Sequence, residues 1–200
     1  MKIICVGRNY AEHVKELNNS IPDSPVIFLK PDTCLLPRNH PFVYPDFSSE
    51  IHYECELVVK INRLGKNIEE RFAHRYYQEV SLGIDLTARD IQKDCKEKSL
   101  PWEKAKAFDY SAPVGKFIPV KDIKNTAFTL RKNGEIVQVG NSNMMLYSVD
   151  KLIAYVSQFF TLKIGDMIFT GTPAGVGPIA IGDNFEAYLE GEKLLDFKVF

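Results

Sequence analysis

The sequence predicts a mixed α+β fold with a largely antiparallel sheet system. The chain contains many short strand-like segments, it contains few helical segments, and the two kinds do not alternate regularly. Regular alternation is typical of a doubly wound parallel sheet, so its absence disfavours that fold. With 200 residues, 45% of them hydrophobic, and no linker, repeat or low-complexity segment, the chain is expected to form one domain over residues 1–200.

The predicted elements of the first half follow apolar runs and their stop signals. Residues 36–45 contain three prolines and are expected to be irregular or edge structure. Thr87 is predicted to cap a helix, with Asp90 completing the capping pattern three residues later. Strands are predicted over 1–6, 26–30, 52–61 and 80–84, helices over 68–77 and 88–96, and a short helix or ordered loop over 9–17.

The second half contains a hairpin and the one long amphipathic helix. Lys132-Asn-Gly-Glu135 predicts a tight hairpin turn. Ser148 is predicted to cap a helix that reaches about Phe160, because apolar residues recur there at helical spacing. Strands are predicted over 114–119, 126–131, 136–139, 166–170, 184–188 and 194–199.

Two glutamates in the segment 52–61 raise the question of a metal site. Alternation along a strand places Glu54 and Glu56 on one face, about 6 to 7 Å apart, and the intervening apolar residues on the other. Such carboxylates repel each other unless a positive charge lies between them, and a divalent metal supplies that charge. The alternative is an edge strand with a solvated acidic face, so the metal hypothesis requires a third ligand.

Asp85, at the end of strand 80–84, is the candidate third ligand. Unlike Asp90, it has no role in the capping pattern. Three carboxylates without a nearby Cys or His cluster form a hard, all-oxygen set. This set suits Mg²⁺ or Mn²⁺, with Ca²⁺ as second choice, and argues against zinc.

Several motifs occur in a defined order along the chain: Glu54-x-Glu56, Gly83-Ile-Asp-Leu-Thr-Ala-Arg-Asp-Ile-Gln92, Trp102-x-x-Ala-Lys-x-Phe108 and Thr170-Gly-Thr-Pro-x-Gly-Val-Gly177. Together they resemble the fumarylacetoacetate hydrolase family over nearly the whole chain. The opening segment, Cys5-Val-Gly-Arg-Asn-Tyr-Ala-Glu-His-Val14, narrows the resemblance to the short acylpyruvase and oxaloacetate decarboxylase branch. The resemblance implies a barrel-like roll of mixed sheets, a homodimer, an oxygen-ligated Mg²⁺ or Mn²⁺, and chemistry at a carbon-carbon bond beside a dicarbonyl group.

The same resemblance implies roles for individual residues. His13 and Glu16 stand three apart and share a helical face; such a pair is usually a surface ion pair, but here it matches the family's water-activating dyad. Lys106 matches the family's catalytic lysine, and Asn18-Asn19-Ser20 after the dyad suggests a mobile lid. The candidate substrate-binding residues are Arg8, Arg89, which alternatively braces the acidic ligands, Gln92 and Thr172.

The implied function is metal-dependent hydrolysis of the carbon-carbon bond of acylpyruvates, with oxaloacetate decarboxylation as a close variant. Relatives with the same metal triad also isomerise or hydrate dienoic oxo acids, although the His13–Glu16 pair favours hydrolysis. A non-catalytic protein that binds a small oxo acid or a protein partner is the alternative from another class.

Other classes of function are disfavoured by composition and motif. A formal charge of −1 gives no basic face for nucleic acid or anionic membrane, and no apolar run spans a bilayer, so a cytoplasmic location is expected. The glycine-rich segment 171–177 lacks the Gly-Lys-Ser/Thr ending of a phosphate loop, and Ser148-x-x-Lys151 lacks the motifs that accompany it in penicillin-recognising enzymes. Four scattered cysteines are typical of buried thiols, with a nucleophilic Cys–His pair a minor alternative: Cys5, Cys34, Cys55 and Cys95.

Overall fold

The structure is a computed structural model that describes residues 1–16, 20–38, 40–120 and 123–200. Its strands are β1 Lys2–Gly7, β2 Val26–Pro31, β3 Leu35–Leu36, β4 Ile51–Tyr53, β5 Cys55–Ile61, β6 Tyr77–Ile84, β7 Thr87–Ala88, β8 Ala112–Pro113, β9 Ile118–Pro119, β10 Ala127–Lys132, β11 Glu135–Asn141, β12 Met167–Phe169, β13 Gly177–Pro178, β14 Asn184–Leu189 and β15 Glu192–Lys198. Its helices are α1 Ala11–Glu16, α2 Glu70–Ala73, α3 Arg89–Glu97, α4 Glu103–Lys106 and α5 Val149–Phe159, with 3-10 turns at Asp32–Cys34 and Ser142–Met144.

The strands form mixed sheets in which antiparallel pairs predominate. A six-stranded sheet has the order β2-β1-β12-β5-β6-β9, and only β1 and β12 pair in parallel within it. A four-stranded antiparallel sheet has the order β11-β10-β14-β15, and β13-β4-β7 and β3-β8 form smaller sheets. Mixed sheets with few helices confirm the predicted fold class.

The two larger sheets share one apolar core. Leu57 and Leu82 come from the six-stranded sheet and Phe128 and Phe185 from the four-stranded sheet, and all four are at most 1% exposed within one cluster. Burial of side chains of this size stabilises the fold by about 1.5 to 3 kcal/mol each. The core therefore fixes the positions of the strand ends, from which several polar side chains project.

The segment 52–61 departs from the prediction of one continuous strand. The chain leaves the small sheet after β4 and enters the six-stranded sheet at β5, and Glu54 lies at the break. β5 is not an edge strand, because β12 and β6 pair with it on its two sides, and its side chains are buried on both faces as far as Val59. The alternative of an exposed acidic edge strand is therefore wrong.

Three local predictions have different outcomes. The helix over 68–77 is only Glu70–Ala73, because Tyr77 instead begins β6 and pairs with Ile61. Thr87 does not cap α3, since it lies in β7 and Ala88 precedes the helix without a side-chain cap. The Ser148 hydroxyl does cap α5, accepting a hydrogen bond from the Lys151 N–H at 3.2 Å.

The hairpin at 132–135 forms as predicted, with Asn133 and Gly134 both at positive φ. The predicted helix over 9–17 is Ala11–Glu16 in the structure, and Leu17 lies outside the described residues. None of the helices in the described ranges has the length and apolarity needed to cross a bilayer.

Candidate metal centre

Three carboxylates converge from the ends of neighbouring strands. Glu54 lies between β4 and β5, Glu56 is in β5, and Asp85 directly follows β6. A hydrogen bond from the Asp85 N–H to the Glu54 carbonyl, 2.8 Å long, fixes the two backbones side by side. One oxygen from each carboxylate lies within 4.8 Å of the other two, and all three residues are buried.

Two cations contact this acidic triad: Lys106, which is buried, and Arg89, which is half-buried. Lys106 Nζ, at the end of α4, donates hydrogen bonds to Glu54 Oε2 at 2.9 Å, to Asp85 Oδ2 at 2.7 Å and to Thr87 Oγ1 at 2.6 Å. Arg89 Nη2 lies 2.6 Å from Glu54 Oε1, so Arg89 braces an acidic residue, as one of its two predicted roles required. The Thr87 hydroxyl, predicted to cap α3, thus accepts a hydrogen bond from Lys106 instead.

Lys30, in β2, is a third cation at the triad, and sequence reasoning did not identify it. Its side chain is 0% exposed, and Nζ lies 2.9 Å from Asp85 Oδ1, at an angle outside hydrogen-bond geometry. The ammonium instead donates to the Ser111 hydroxyl at 2.8 Å and to the carbonyls of Ser111, at 3.1 Å, and Lys106. The only signal in the sequence is one lysine that ends an apolar strand before Pro31.

The surroundings shift the pKa values of these groups in opposite directions. Burial alone would raise the pKa of Glu54, but Lys106 and Arg89 outweigh it and hold that pKa well below its usual range. Burial, with the charges of Asp85 and Glu54, raises the pKa of Glu56 well above its usual range. Burial would lower the pKa of Lys106, but Asp85 and Glu54 raise it, so this lysine stays protonated.

The donor set fits a hard divalent cation. Glu56 accepts a hydrogen bond from the Gly171 N–H at 2.7 Å, but no lysine or arginine among the described residues forms an ion pair with it. Asp85 Oδ1 has no hydrogen-bond donor within the same part of the chain. Carboxylate oxygens are the ligands that Mg²⁺ and Mn²⁺ prefer, and Glu56 and Asp85 Oδ1 still have free acceptor positions.

His13 and Glu16 are in contact in α1. His13 Nδ1 lies 3.0 Å from Glu16 Oε2; His13 is 5% exposed whereas Glu16 is exposed, so the pair has its imidazole inside the pocket and its carboxylate at the surface. A proton on Nδ1 directed at the carboxylate leaves Nε2 with a lone pair. The predicted lid includes Asn18 and Asn19, which lie outside the described residues.

One glycine-rich loop ties this dyad to the acidic triad. The Gly171 N–H binds Glu56, and the Gly175 N–H donates to Glu16 Oε1 at 3.0 Å. Both glycines have positive φ, and a Cβ at Gly175 would lie 2.4 Å from the Val137 carbonyl oxygen. The segment is therefore a scaffold for two carboxylates, those of Glu56 and Glu16.

Nine of the ten predicted site residues line a single pocket, and the tenth, Glu16, contacts one of them, His13, from outside the lining. Gln92 Oε1 accepts a 2.7 Å hydrogen bond from Arg89 Nη1, which leaves the Gln92 amide nitrogen for a ligand. The Thr172 hydroxyl donates to the Cys55 carbonyl at 2.8 Å. The nine lining residues are Arg8, His13, Glu54, Glu56, Asp85, Arg89, Gln92, Lys106 and Thr172.

Buried amide side chains hold the loop in place, and sequence reasoning missed them too. Gln138 Nε2 donates to the Thr172 hydroxyl and to the Pro173 carbonyl, each at 2.9 Å. Asn9 Nδ2 donates to the Thr170 carbonyl at 2.7 Å. Both act across more than 30 residues of sequence, so no local pattern reveals them.

The cysteines are buried and unpaired, as the sequence predicts. Burial raises the pKa of the Cys5 thiol and of the Cys55 thiol, which disfavours the reactive thiolate. No cysteine lines the pocket that contains His13, so a nucleophilic Cys–His pair has no support.

Comparison with known proteins identifies the family. The family model described as fumarylacetoacetate (FAA) hydrolase C-terminal matches residues 2–199. The mouse protein named "Oxaloacetate tautomerase FAHD1, mitochondrial" is 44% identical over 200 residues, which cover 98% of this chain and 90% of that protein. The Dictyostelium discoideum protein named "Oxaloacetate decarboxylase, mitochondrial" is 43% identical over 194 residues, covering 95% and 89%.

A solved structure adds a likeness in three dimensions. Fumarylpyruvate hydrolase from Pseudomonas aeruginosa, in complex with Mn²⁺ and pyruvate, superposes with a TM-score of 0.93 at 34% identity. The match covers 100% of this chain and 89% of that one.

Proposed function

The chain belongs to the fumarylacetoacetate hydrolase family, and we propose that it is an enzyme acting on enolisable 2-oxo acids with a bound Mg²⁺ or Mn²⁺. One observation carries the proposal: three buried carboxylates with ligand oxygens within 4.8 Å share a pocket with a protonated lysine and a histidine–carboxylate pair. The names of relatives at 43 and 44% identity support oxaloacetate as a substrate, through keto–enol interconversion and decarboxylation.

In this proposal Glu54, Glu56 and Asp85 hold the dication. When bound, it would supply positive charge beside the oxygens of a 2-oxo acid, which favours loss of a proton or of CO₂ from the neighbouring carbon. Lys106 adds a second, permanent positive charge at the same place, because its ammonium is buried among carboxylates. The Gln92 amide and the Thr172 backbone N–H orient the substrate carboxylate.

His13 Nε2 is the base of the proposed reaction, since Nδ1 is directed at Glu16. In keto–enol interconversion the base removes a proton from C3 and the 2-oxo oxygen gains one. In decarboxylation the C3–C4 bond breaks, CO₂ leaves, and the electron pair stays on C3 until a proton is returned. Burial of His13 in the pocket excludes bulk water from this transfer.

Hydrolysis of acylpyruvates is the second candidate function. The His13–Glu16 contact favours it, because a buried base with a fixed tautomer is the group needed to activate water. The hydroxyl of that water would add to the distal carbonyl, and the C3–C4 bond would break to release pyruvate and a carboxylic acid. The similarity to fumarylpyruvate hydrolase supports the same candidate.

The test measures turnover of oxaloacetate and of acetylpyruvate with Mg²⁺ or Mn²⁺. Enol absorbance reports interconversion and hydrolysis, and a coupled pyruvate assay reports decarboxylation. Glu56→Gln is expected to abolish activity on both acids, whereas His13→Ala should slow hydrolysis by about 10²- to 10⁴-fold and spare more of the decarboxylation.

His74→Ala is the matched control, since His74 directly follows α2, is exposed and lies outside the pocket. Turnover of neither acid would contradict the proposal. Calorimetric binding of oxo acids without turnover would favour a non-catalytic binding protein instead.

Three further features stay predictions. A single catalytic domain over residues 1–200 should give one cooperative unfolding transition. A homodimer should elute at twice the chain mass of 22.8 kDa in size-exclusion chromatography with light scattering. The cytoplasmic location is tested by cell fractionation.

A further inference from the structure

A surface at the end of the six-stranded sheet farthest from the acidic triad exposes aliphatic side chains beside cations. β5 begins at Cys55, next to the triad, and ends at Ile61, and β12 runs the other way, from Met167 toward Gly171. At about 3.4 Å per residue, Ile61 lies roughly 17 Å along the strand from Glu56. This end of the sheet is therefore separate from the candidate metal centre.

The segment that follows β5 and the segment that precedes β12 lie side by side at this end. The Ile61 N–H donates to the Asp166 carbonyl at 2.8 Å, and the Gly65 N–H donates to the Leu162 carbonyl at 3.0 Å. Backbone bonds thus join the two segments at both ends. The two turns between these bonds are held next to each other at the surface.

Each of these two turns presents one large aliphatic side chain to solvent. Leu64 is 63% exposed and Ile164 is 73% exposed. Single exposed aliphatic residues are common, but two on adjacent turns indicate an interaction surface. Side chains that protrude this far fit insertion into a soft apolar medium better than contact with a flat protein surface.

Three exposed cations lie in the same two segments: Arg63, Lys66 and Lys163. None of them forms an ion pair with a carboxylate in the described ranges. The one carboxylate in segments 61–66 and 161–166, that of Asp166, is buried and paired with Lys2. The formal charge of −1 therefore conceals a local excess of positive charge, and the expectation that the chain has no basic face does not hold at this surface.

We propose that this surface, formed by Leu64, Ile164, Arg63, Lys66 and Lys163, binds the headgroup region of an anionic phospholipid bilayer. The two aliphatic side chains insert below the headgroups, and the three cations contact the anionic groups of the lipids. A second copy of this chain fits the surface less well, because the like charges would repel each other face to face. The inference is independent of the proposed function, and the pocket stays open because it lies at the other end of the sheet.

Vesicle flotation of the full chain tests the inference. Binding to vesicles of equimolar phosphatidylcholine and phosphatidylserine is expected, half complete near about 0.1 mM accessible lipid, which is the affinity of a single myristoyl chain. Binding should weaken in high salt and be far weaker to phosphatidylcholine alone. Lys66→Gln and Lys163→Gln should each weaken it about fivefold, and Leu64→Ser and Ile164→Ser about tenfold each.

The matched controls are Ile181→Ser and Lys198→Gln, which should bind the vesicles as the native chain does. Ile181 is also 73% exposed, Lys198 is exposed, and both lie by the four-stranded sheet. No binding of the native chain to the anionic vesicles would overturn the inference, and so would native-like binding of Leu64→Ser and Ile164→Ser. An oligomer that dissociates on Leu64→Ser without vesicles would also overturn it, since the surface would then bind a second copy.

Discussion

Replacement of Lys30 with methionine is expected to destabilise the metal-free chain strongly. The side chain is fully buried, and its ammonium lies 2.9 Å from Asp85 Oδ1 and 2.8 Å from the Ser111 hydroxyl. Methionine has a similar length and no charge, so the change removes the cation without leaving a large cavity. Asp85 would then remain buried with Lys106 as its one cationic neighbour among the described residues.

The magnitude follows from the cost of leaving a buried charge without its partner, about 3 to 5 kcal/mol. Because Lys106 still contacts Asp85 at 2.7 Å, the lower end of that range applies, about 3 kcal/mol. For a chain of this size each kcal/mol lowers the melting temperature by about 2 to 4 °C, so a fall of about 6 to 12 °C is expected.

Thermal unfolding followed by circular dichroism without metal measures this effect, with Lys60→Met as the control. Lys60 pairs with Glu79 in the same sheet, but both side chains are at least one third exposed, so its loss should cost at most about 1 kcal/mol. Excess Mg²⁺ should restore part of the stability lost in Lys30→Met, since a bound dication compensates Asp85. A fall no larger than that of Lys60→Met would refute the assigned role of Lys30.

Two further predictions concern the loop and the acidic triad. Gly175→Ala should destabilise the chain by about 1 to 3 kcal/mol more than Gly134→Ala. Both glycines have positive φ, but of the two only Gly175 would place its added Cβ against backbone, the Val137 carbonyl oxygen. Equal melting temperatures for the two variants would count against the loop as a scaffold. Because burial and like charges raise the pKa of Glu56, Mg²⁺ binding should release a proton, and the affinity for Mg²⁺ should rise with pH above the ordinary carboxyl pKa. Calorimetry in buffers of different ionisation enthalpy counts that proton. An affinity for Mg²⁺ that does not change with pH would contradict the prediction. Folding favours the neutral form of the Glu56 carboxyl, so the metal-free chain should lose stability as pH rises from the ordinary carboxyl pKa toward the raised pKa of Glu56. A gain of stability over that pH range in thermal unfolding would contradict this prediction.

The local parts of the fold and of the candidate site could be predicted from the sequence. Asn133 and Gly134 determine the hairpin by their tolerance of positive φ, and Ser148 caps α5 through a bond three residues away. The spacing of Glu54 and Glu56 predicts that the two carboxylates lie close together, and in the structure both lie beside the carboxylate of Asp85.

The features that sequence reasoning predicted wrongly or missed depend on contacts between distant segments. The break after β4 exists because β13 and β7 pair on one side of it and β12 and β6 on the other. Thr87 follows capping rules by sequence, but the Lys106 ammonium, 19 residues away, uses its hydroxyl. Lys30 and Asp85 are far apart in the sequence and meet only in the folded chain, which no pattern near Pro31 indicates.

Binding of Mn²⁺, followed by electron paramagnetic resonance, measures whether Glu54, Glu56 and Asp85 hold a divalent cation. The native chain is expected to bind one Mn²⁺ per chain, and Glu56→Gln and Asp85→Asn should each weaken that binding by at least tenfold while the fold persists by circular dichroism. Glu50→Gln, at an exposed acidic residue outside the pocket, should bind Mn²⁺ as the native chain does. Native-like affinity in both triad variants would contradict the account.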